Sequence, residues 1–272
     1  MWRLDKPDLS IALEADIDNL IAHCRDLTPA DKNGLQSLYR LYDSQNGILT
    51  DKQHDTYDPN KAEVIFKQYV KTRKGGVHYN IREELNETVG RCPYCSINQP
   101  DTLDHYMPES RYKALAVCRL NLVPLCPRCN NLKLDKEFAR FIHCYYQQFP
   151  NAVFFVAKVF TIKQRWVVRF SIDETAIPDK ALYDKIVYQC GEIKLIQRLQ
   201  KEALRYLEDL CGQCVAGSNE ELRIWLKDRL NYSHYGNNDW RTALLRGLLE
   251  YPELDIDIFA FNRVNTRFQA GA

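Results

Sequence analysis

Two Cys-x-x-Cys pairs, Cys92-Pro93-Tyr94-Cys95 and Cys126-Pro127-Arg128-Cys129, constrain this chain more than any other feature. Each pair can present two thiolates from a tight turn, and four thiolates at about 2.3 Å from one ion make a tetrahedral zinc site. The 30 residues between the pairs are more than a simple zinc ribbon holds, so a folded insert lies inside the loop that the ion closes. The bland reading, four small buried residues, does not account for two pairs of matching spacing. A third pair, Cys211-Gly212-Gln213-Cys214, has no equally spaced partner and ends an amphipathic stretch, so it reads as helix-end packing.

Ten cysteines in a small secreted domain would mean disulfides, but this chain has 272 residues. Its start, Met1-Trp2-Arg3-Leu4-Asp5-Lys6, lacks the apolar run of a secretion signal, and no stretch is apolar enough to span a membrane. The expectation is a cytoplasmic protein under reducing conditions. A net charge of +1 excludes a uniformly basic body, so any nucleic-acid contact must come from local patches.

Three zones follow along the chain. Residues 1–88 read as helical, with apolar positions Ile11, Leu13, Ile17, Leu20 and Ile21. Thr28 reads as a cap with Pro29 at the first helical position, opening a helix through Leu35, Leu38, Tyr39 and Tyr42. Val64, Ile65 and Tyr69 continue the pattern until Gly75-Gly76 breaks it. Residues 89–143 hold most of the chemistry. Residues 144–272 open with a hairpin, Val153–Val156 and Trp166–Phe170 around a Lys163-Gln164-Arg165 turn. Helices follow: one with Ile193, Ile196, Leu199, Ala203, Leu207 and Leu210 on a face, one capped by Ser218 with Glu221, and one capped by Asp239. The fold class expected is α+β, mostly helical.

The insert reads Thr102-Leu103-Asp104-His105-Tyr106-Met107-Pro108, and Asn121-Leu122-Val123-Pro124-Leu125 runs into Cys126, with Asn130-Asn131-Leu132-Lys133 after Cys129. A Cys pair, Asp-His with a Pro soon after, Asn-Leu, then a second Cys pair running into Asn-x-x-Lys resembles the HNH (ββα-metal) endonucleases over about Arg91 to Lys136. The resemblance implies a zinc-stapled β-hairpin followed by a helix. It makes His105 the general base, a role suited to a neutral imidazole. Asp104 and Asn130 become ligands of a catalytic Mg²⁺ or Mn²⁺, with Asn130 standing where the family's last His falls and Asn131 open as its substitute. Asn121 would orient His105 through a hydrogen bond, and Lys133 would add positive charge beside the phosphate. Asp-His-Tyr-x-Pro-x-Ser and Asn-Leu-Val-Pro also resemble nucleases of bacterial anti-phage defence, such as the subunit that accompanies an ATPase in Septu-type systems. That implies a partner ATPase docking on the C-terminal segment. A stand-alone restriction- or homing-type nuclease and a non-catalytic zinc adaptor are the alternatives.

Substrate contacts are expected from the basic run Lys71, Arg73 and Lys74 on a flexible turn, and from Lys194 and Arg198 on one side of a long helix beside Lys201 and Arg205. A solvated charged face explains both equally well. Arg111, Tyr106 and Tyr112 flank the Asp-His loop and are candidates to wedge or stack. Neither basic patch is interleaved with aromatics, which favours double-stranded DNA as substrate.

Overall fold

The computed structural model describes residues 3–134, 136–163, 165–257 and 259. Met1, Trp2 and Gln164 lie outside them. The chain divides into two compact units, Trp2–Gln148 and Phe149–Ala272. The expected helical segment 1–88 and core 89–143 are therefore parts of one unit.

In that first unit, α1 (Leu9–Ala22) and α2 (Asp31–Ser44) bury Leu13, Ile17 and Leu20 together with Leu35, Leu38, Tyr39 and Tyr42. Each large apolar side chain so buried contributes roughly 1.5–3 kcal/mol. Thr28 does not cap α2. Its backbone N–H and hydroxyl donate to Asp31 Oδ2 at 2.7 and 2.9 Å, so Pro29 and Ala30 form a turn ahead of the helix. A capping box on Thr50 opens the short α3 (Asp51–His54), and Asp58 caps α4 (Pro59–Gln68) with Pro59 in its first turn. A 3-10 turn, Tyr69–Thr72, leads into the Gly75-Gly76 bend and then α5 (Tyr79–Glu87).

Two backbone hydrogen bonds tie that bend down. Gly76 N–H donates to Arg73 O at 2.8 Å and His78 N–H to Lys71 O at 3.1 Å. A side chain on Gly76 would overlap the Lys71 carbonyl, which is why glycine is needed there. Strands β1 (Thr102–His105) and β2 (Leu122–Leu125) pair antiparallel, Thr102 opposite Leu125 and His105 opposite Leu122. Helix α6 (Pro127–Lys133) follows directly, giving the expected ββα unit.

The second unit is built on β3 (Phe155–Ile162) and β4 (Arg165–Ile172), joined at Lys163 with φ +50°. Phe155, Ala157 and Val159 pack on the same side as Trp166, Val168 and Phe170, the period of two that one buried face requires. The first strand begins at Phe155, later than its apolar run, because the Phe154 and Phe155 N–H groups donate to Asn238 Oδ1 at 2.8 and 3.0 Å. Helices α7 (Lys180–Glu192), α8 (Leu195–Gln213), α9 (Asn219–Asn231) and α10 (Trp240–Glu250) complete it. Ser218 and Asp239 cap the last two as expected. Gly247 lets α10 approach the Ala157 carbonyl more closely than any side chain would allow. No helix among the described residues is long and apolar enough to cross a membrane.

Candidate active site and metal centre

The four sulfurs of Cys92, Cys95, Cys126 and Cys129 lie within 4.8 Å of one another, and all four residues are fully buried. Cys95 Sγ and Cys126 Sγ are 3.8 Å apart. Two thiolates held tetrahedrally at 2.3 Å from one ion would stand about 3.8 Å apart, so the donor set fits zinc in size and chemistry. The local fold makes this cluster. Ser96 N–H donates to Cys92 O at 2.8 Å with Ser96 at φ +54°, and Ile97 N–H points at Cys95 Sγ at 3.5 Å. Cys126 occupies the N-cap of α6, and hydrogen bonds from Cys129 and Cys92 pull its thiol far below the ordinary range, while burial pushes Cys92 up and the bond to Cys126 pushes Cys129 up. Cys211 and Cys214 are buried at the end of α8 and join no such cluster among the described residues.

Strand alternation divides the Asp-His pair. Thr102 and Asp104 share one face of β1, and α6 lies over it. Asn130 and Lys133, three residues apart on α6, reach the two positions in turn. Asn130 Nδ2 donates to Thr102 Oγ1 at 3.1 Å, and Lys133 Nζ lies 2.9 Å from Asp104 Oδ2. Asn130 uses its nitrogen on Thr102, which leaves its Oδ1 as an acceptor. A carboxylate and an amide oxygen on one side of the hairpin are hard donors that fit Mg²⁺ or Mn²⁺. Asn131 is exposed, while Asn130 is half-buried against the hairpin.

Lys133 corrects its sequence reading. Its side chain is 1% exposed, its ammonium pairs with Asp104 and donates to His105 O at 2.9 Å, and it cannot also sit on a phosphate in this arrangement. It pairs with the Asp104 carboxylate and ties down the backbone of His105.

His105 closes β1 with its imidazole buried. Its Nε2 lies 2.8 Å from Ala116 O and 3.4 Å from Glu109 Oε2, and the Tyr69 ring meets it edge-on at 4.3 Å. A carbonyl oxygen only accepts, so Nε2 carries the hydrogen and Nδ1 keeps the lone pair. Burial lowers the imidazole pKa to about 4, leaving it neutral at physiological pH. The expected Asn121 to His105 hydrogen bond is absent, and Ala116 takes that place. Asn121 instead ties the intervening loop together. Its Oδ1 accepts from Met107 N–H at 2.8 Å and Tyr42 Oη at 3.1 Å, and its Nδ2 donates to Met107 O and Leu115 O. It therefore holds the segment next to Ala116, acting on the histidine at one remove.

Several expected contact residues are engaged elsewhere. Arg111 ion-pairs with Asp51. Tyr112 is buried and donates to Asp51 Oδ1 at 2.9 Å, and Tyr106 is fully buried and donates to Phe141 O, so neither ring is presented for stacking. In the second unit Arg198 lies on the core side of α8, 5% exposed, with Nη1 on Ile193 O at 3.2 Å. The chain turns at Lys194, φ +52°, which breaks the expected continuous face and basic stripe; Lys194 itself is exposed at the start of α8, where Leu195 and Leu199 pack inward. Lys71 is half-buried, whereas Arg73 and Lys74 line a cleft of about 560 Å³ with Arg82, Tyr69 and Tyr79 opposite Thr102 and Asn130. The sequence does not mark Arg82, Tyr79 or Glu109 as neighbours of the site, and it shows Tyr69 only as an apolar helix position. Glu109 carried a faint signal, four residues after His105, and the others carried none.

No curated protein and no solved structure matches the chain. Residues 92–136 match the family model described as HNH endonuclease, a span that opens on the first cysteine and takes in Asp104, His105, Asn121, Asn130 and Lys133, and this match supports a nuclease function.

Proposed function

We propose that this chain is a metal-dependent endonuclease that hydrolyses phosphodiester bonds of DNA. The carrying observation is the orientation of His105. Its Nε2–H is held by Ala116 O, so Nδ1 of a neutral, desolvated imidazole is the atom that takes the proton from an attacking water. Asp104 and Asn130 would hold the Mg²⁺ or Mn²⁺, which when bound supplies positive charge for the phosphate and the leaving oxygen. Lys133 pairs with Asp104 and holds it in place, Asn121 sets the loop that carries Ala116, and the four cysteines would hold zinc and close the insert.

The wording Asp104-His105-Tyr106-x-Pro108-x-Ser110 extends this reading to bacterial anti-phage defence with a partner ATPase, in which the partner gates cutting. Plasmid nicking tests both levels. The purified chain should nick with Mg²⁺ and stop with chelator. His105→Ala should lose activity by about 100-fold or more while keeping its zinc and circular dichroism. Full activity in His105→Ala would remove the histidine from its role. Silence rescued by an ATPase supports the gated enzyme, and silence under every condition supports a zinc adaptor.

A further inference from the structure

We infer that the cleft beside Asn130 is a track for an unpaired nucleic-acid strand, so that the segment entering the site is single-stranded. The identity of the ligand rests on the nuclease reading above. Three cations, Arg73, Lys74 and Arg82, face the cleft against one carboxylate, Asp101, in a chain whose net charge is only +1. Two tyrosine rings, Tyr69 and Tyr79, stand among them. A cationic groove with aromatic faces is the arrangement that holds a strand by its phosphates and stacks its bases, since an unpaired base offers a π-face that a base pair inside a duplex does not. At about 560 Å³ the space suits a small-molecule-sized piece, one or two nucleotides.

The lining is built in advance. Arg82 Nε donates to Thr72 O at 3.1 Å and Nη1 to Asp101 O at 3.2 Å, which ties the turn after α4 to the residue preceding β1. Tyr69 Oη donates to Leu103 O at 2.7 Å, so one ring belongs at once to the cleft and to the wall of His105. Asn86 Oδ1 is buried in the lining with no hydrogen-bond partner among the described residues, an acceptor available to a base N–H. In sequence the tyrosines flank the basic run ten residues apart, which reads as no interleaving and favours a duplex; the bend at Gly75-Gly76 folds them onto the same cleft.

The test uses the full chain carrying His105→Ala, a fluorescein-labelled oligothymidylate and the matching duplex, with binding read by fluorescence anisotropy in Mg²⁺. The strand should bind at least about tenfold tighter than the duplex. Adding Tyr79→Ala should weaken strand binding about tenfold, while Tyr79→Phe keeps it, because stacking needs only the ring. Replacing Arg73 and Lys74 by Ala should lower the slope of log affinity against log salt by about 1.4, two phosphate contacts on a single strand. Zinc content and circular dichroism should not change in any variant. Equal or tighter duplex binding, or no effect of Tyr79→Ala, would overturn the inference. Cutting by the unmodified chain is scored separately: cutting with an indifferent Tyr79 overturns the cleft alone, and strand binding without cutting supports the cleft and counts against the nuclease.

Discussion

The cysteine cluster and the Asp104–Lys133 pair are two buried polar centres under the same short helix, yet they are stabilised in opposite ways. At the first, four sulfur donors converge, a set whose chemistry fits an ion from outside. At the second, the counter-charge is built in: Lys133 lies 2.9 Å from Asp104 and fixes the backbone of His105. If the cysteines hold zinc as proposed, the first centre couples folding to metal, whereas the Asp104–Lys133 pair of the second is assembled without one. Burial makes both choices necessary, since an unpaired charge in such a place costs several kcal/mol.

The largest expected effect is that of Cys92→Ser. Loss of one sulfur should release zinc and unfold the hairpin unit, because structural zinc contributes roughly 10–16 kcal/mol of apparent binding free energy to folding. Metal analysis alongside a thermal melt checks it, and a folded zinc-free variant would break the contrast. Next is Lys133→Met, which leaves the Asp104 carboxylate buried without its cation and should cost about 3–5 kcal/mol with zinc retained. Mg²⁺ should restore part of the melting temperature in this variant if Asp104 is a cation ligand, and no Mg²⁺ response would remove it from that role.

Acid should then separate the centres more gently. His105 and His78 are both lowered by burial from 6.5 to about 4, so each favours the folded state fully above the unfolded value and loses that contribution as pH falls from about 6.5 to 4. A loss of about 3–4 kcal/mol for each is the upper scale. Melts across this range with zinc followed in parallel would show a midpoint that drops before zinc leaves; a flat midpoint would mean that the imidazoles are not desolvated. The smallest effect belongs to Asn131→Ala. Asn131 is exposed beside the half-buried Asn130, and its removal should change stability by less than about 0.5 kcal/mol and leave metal-dependent nicking intact.

Legibility follows the range of the interactions involved. The ββα unit, the caps at Ser218 and Asp239 and the convergence of the cysteines depend on neighbours within a turn or on ligand spacing, and they were readable. That Lys133, Arg198 and Tyr106 are buried is not legible in the sequence, because a cation or a tyrosine near a motif carries no mark of which way its face turns. Asn121 was read as touching His105 because the two lie near each other in the motif. Strand pairing instead hands it the loop at Met107 and Leu115, and Ala116 supplies only a backbone carbonyl, which any residue type could.

The order and spacing of the residues determined that four cysteines would converge beside a hairpin and helix, and the resemblance they carry named the side chains to propose for phosphodiester cleavage. Only the tertiary structure decided which nitrogen of His105 holds the lone pair, that Lys133 serves Asp104, and that two tyrosines meet a basic turn beside Asn130. The reason is physical: ligand type and local spacing are properties of short segments, whereas burial and the direction of a side chain are set by whatever distant part of the chain packs against it.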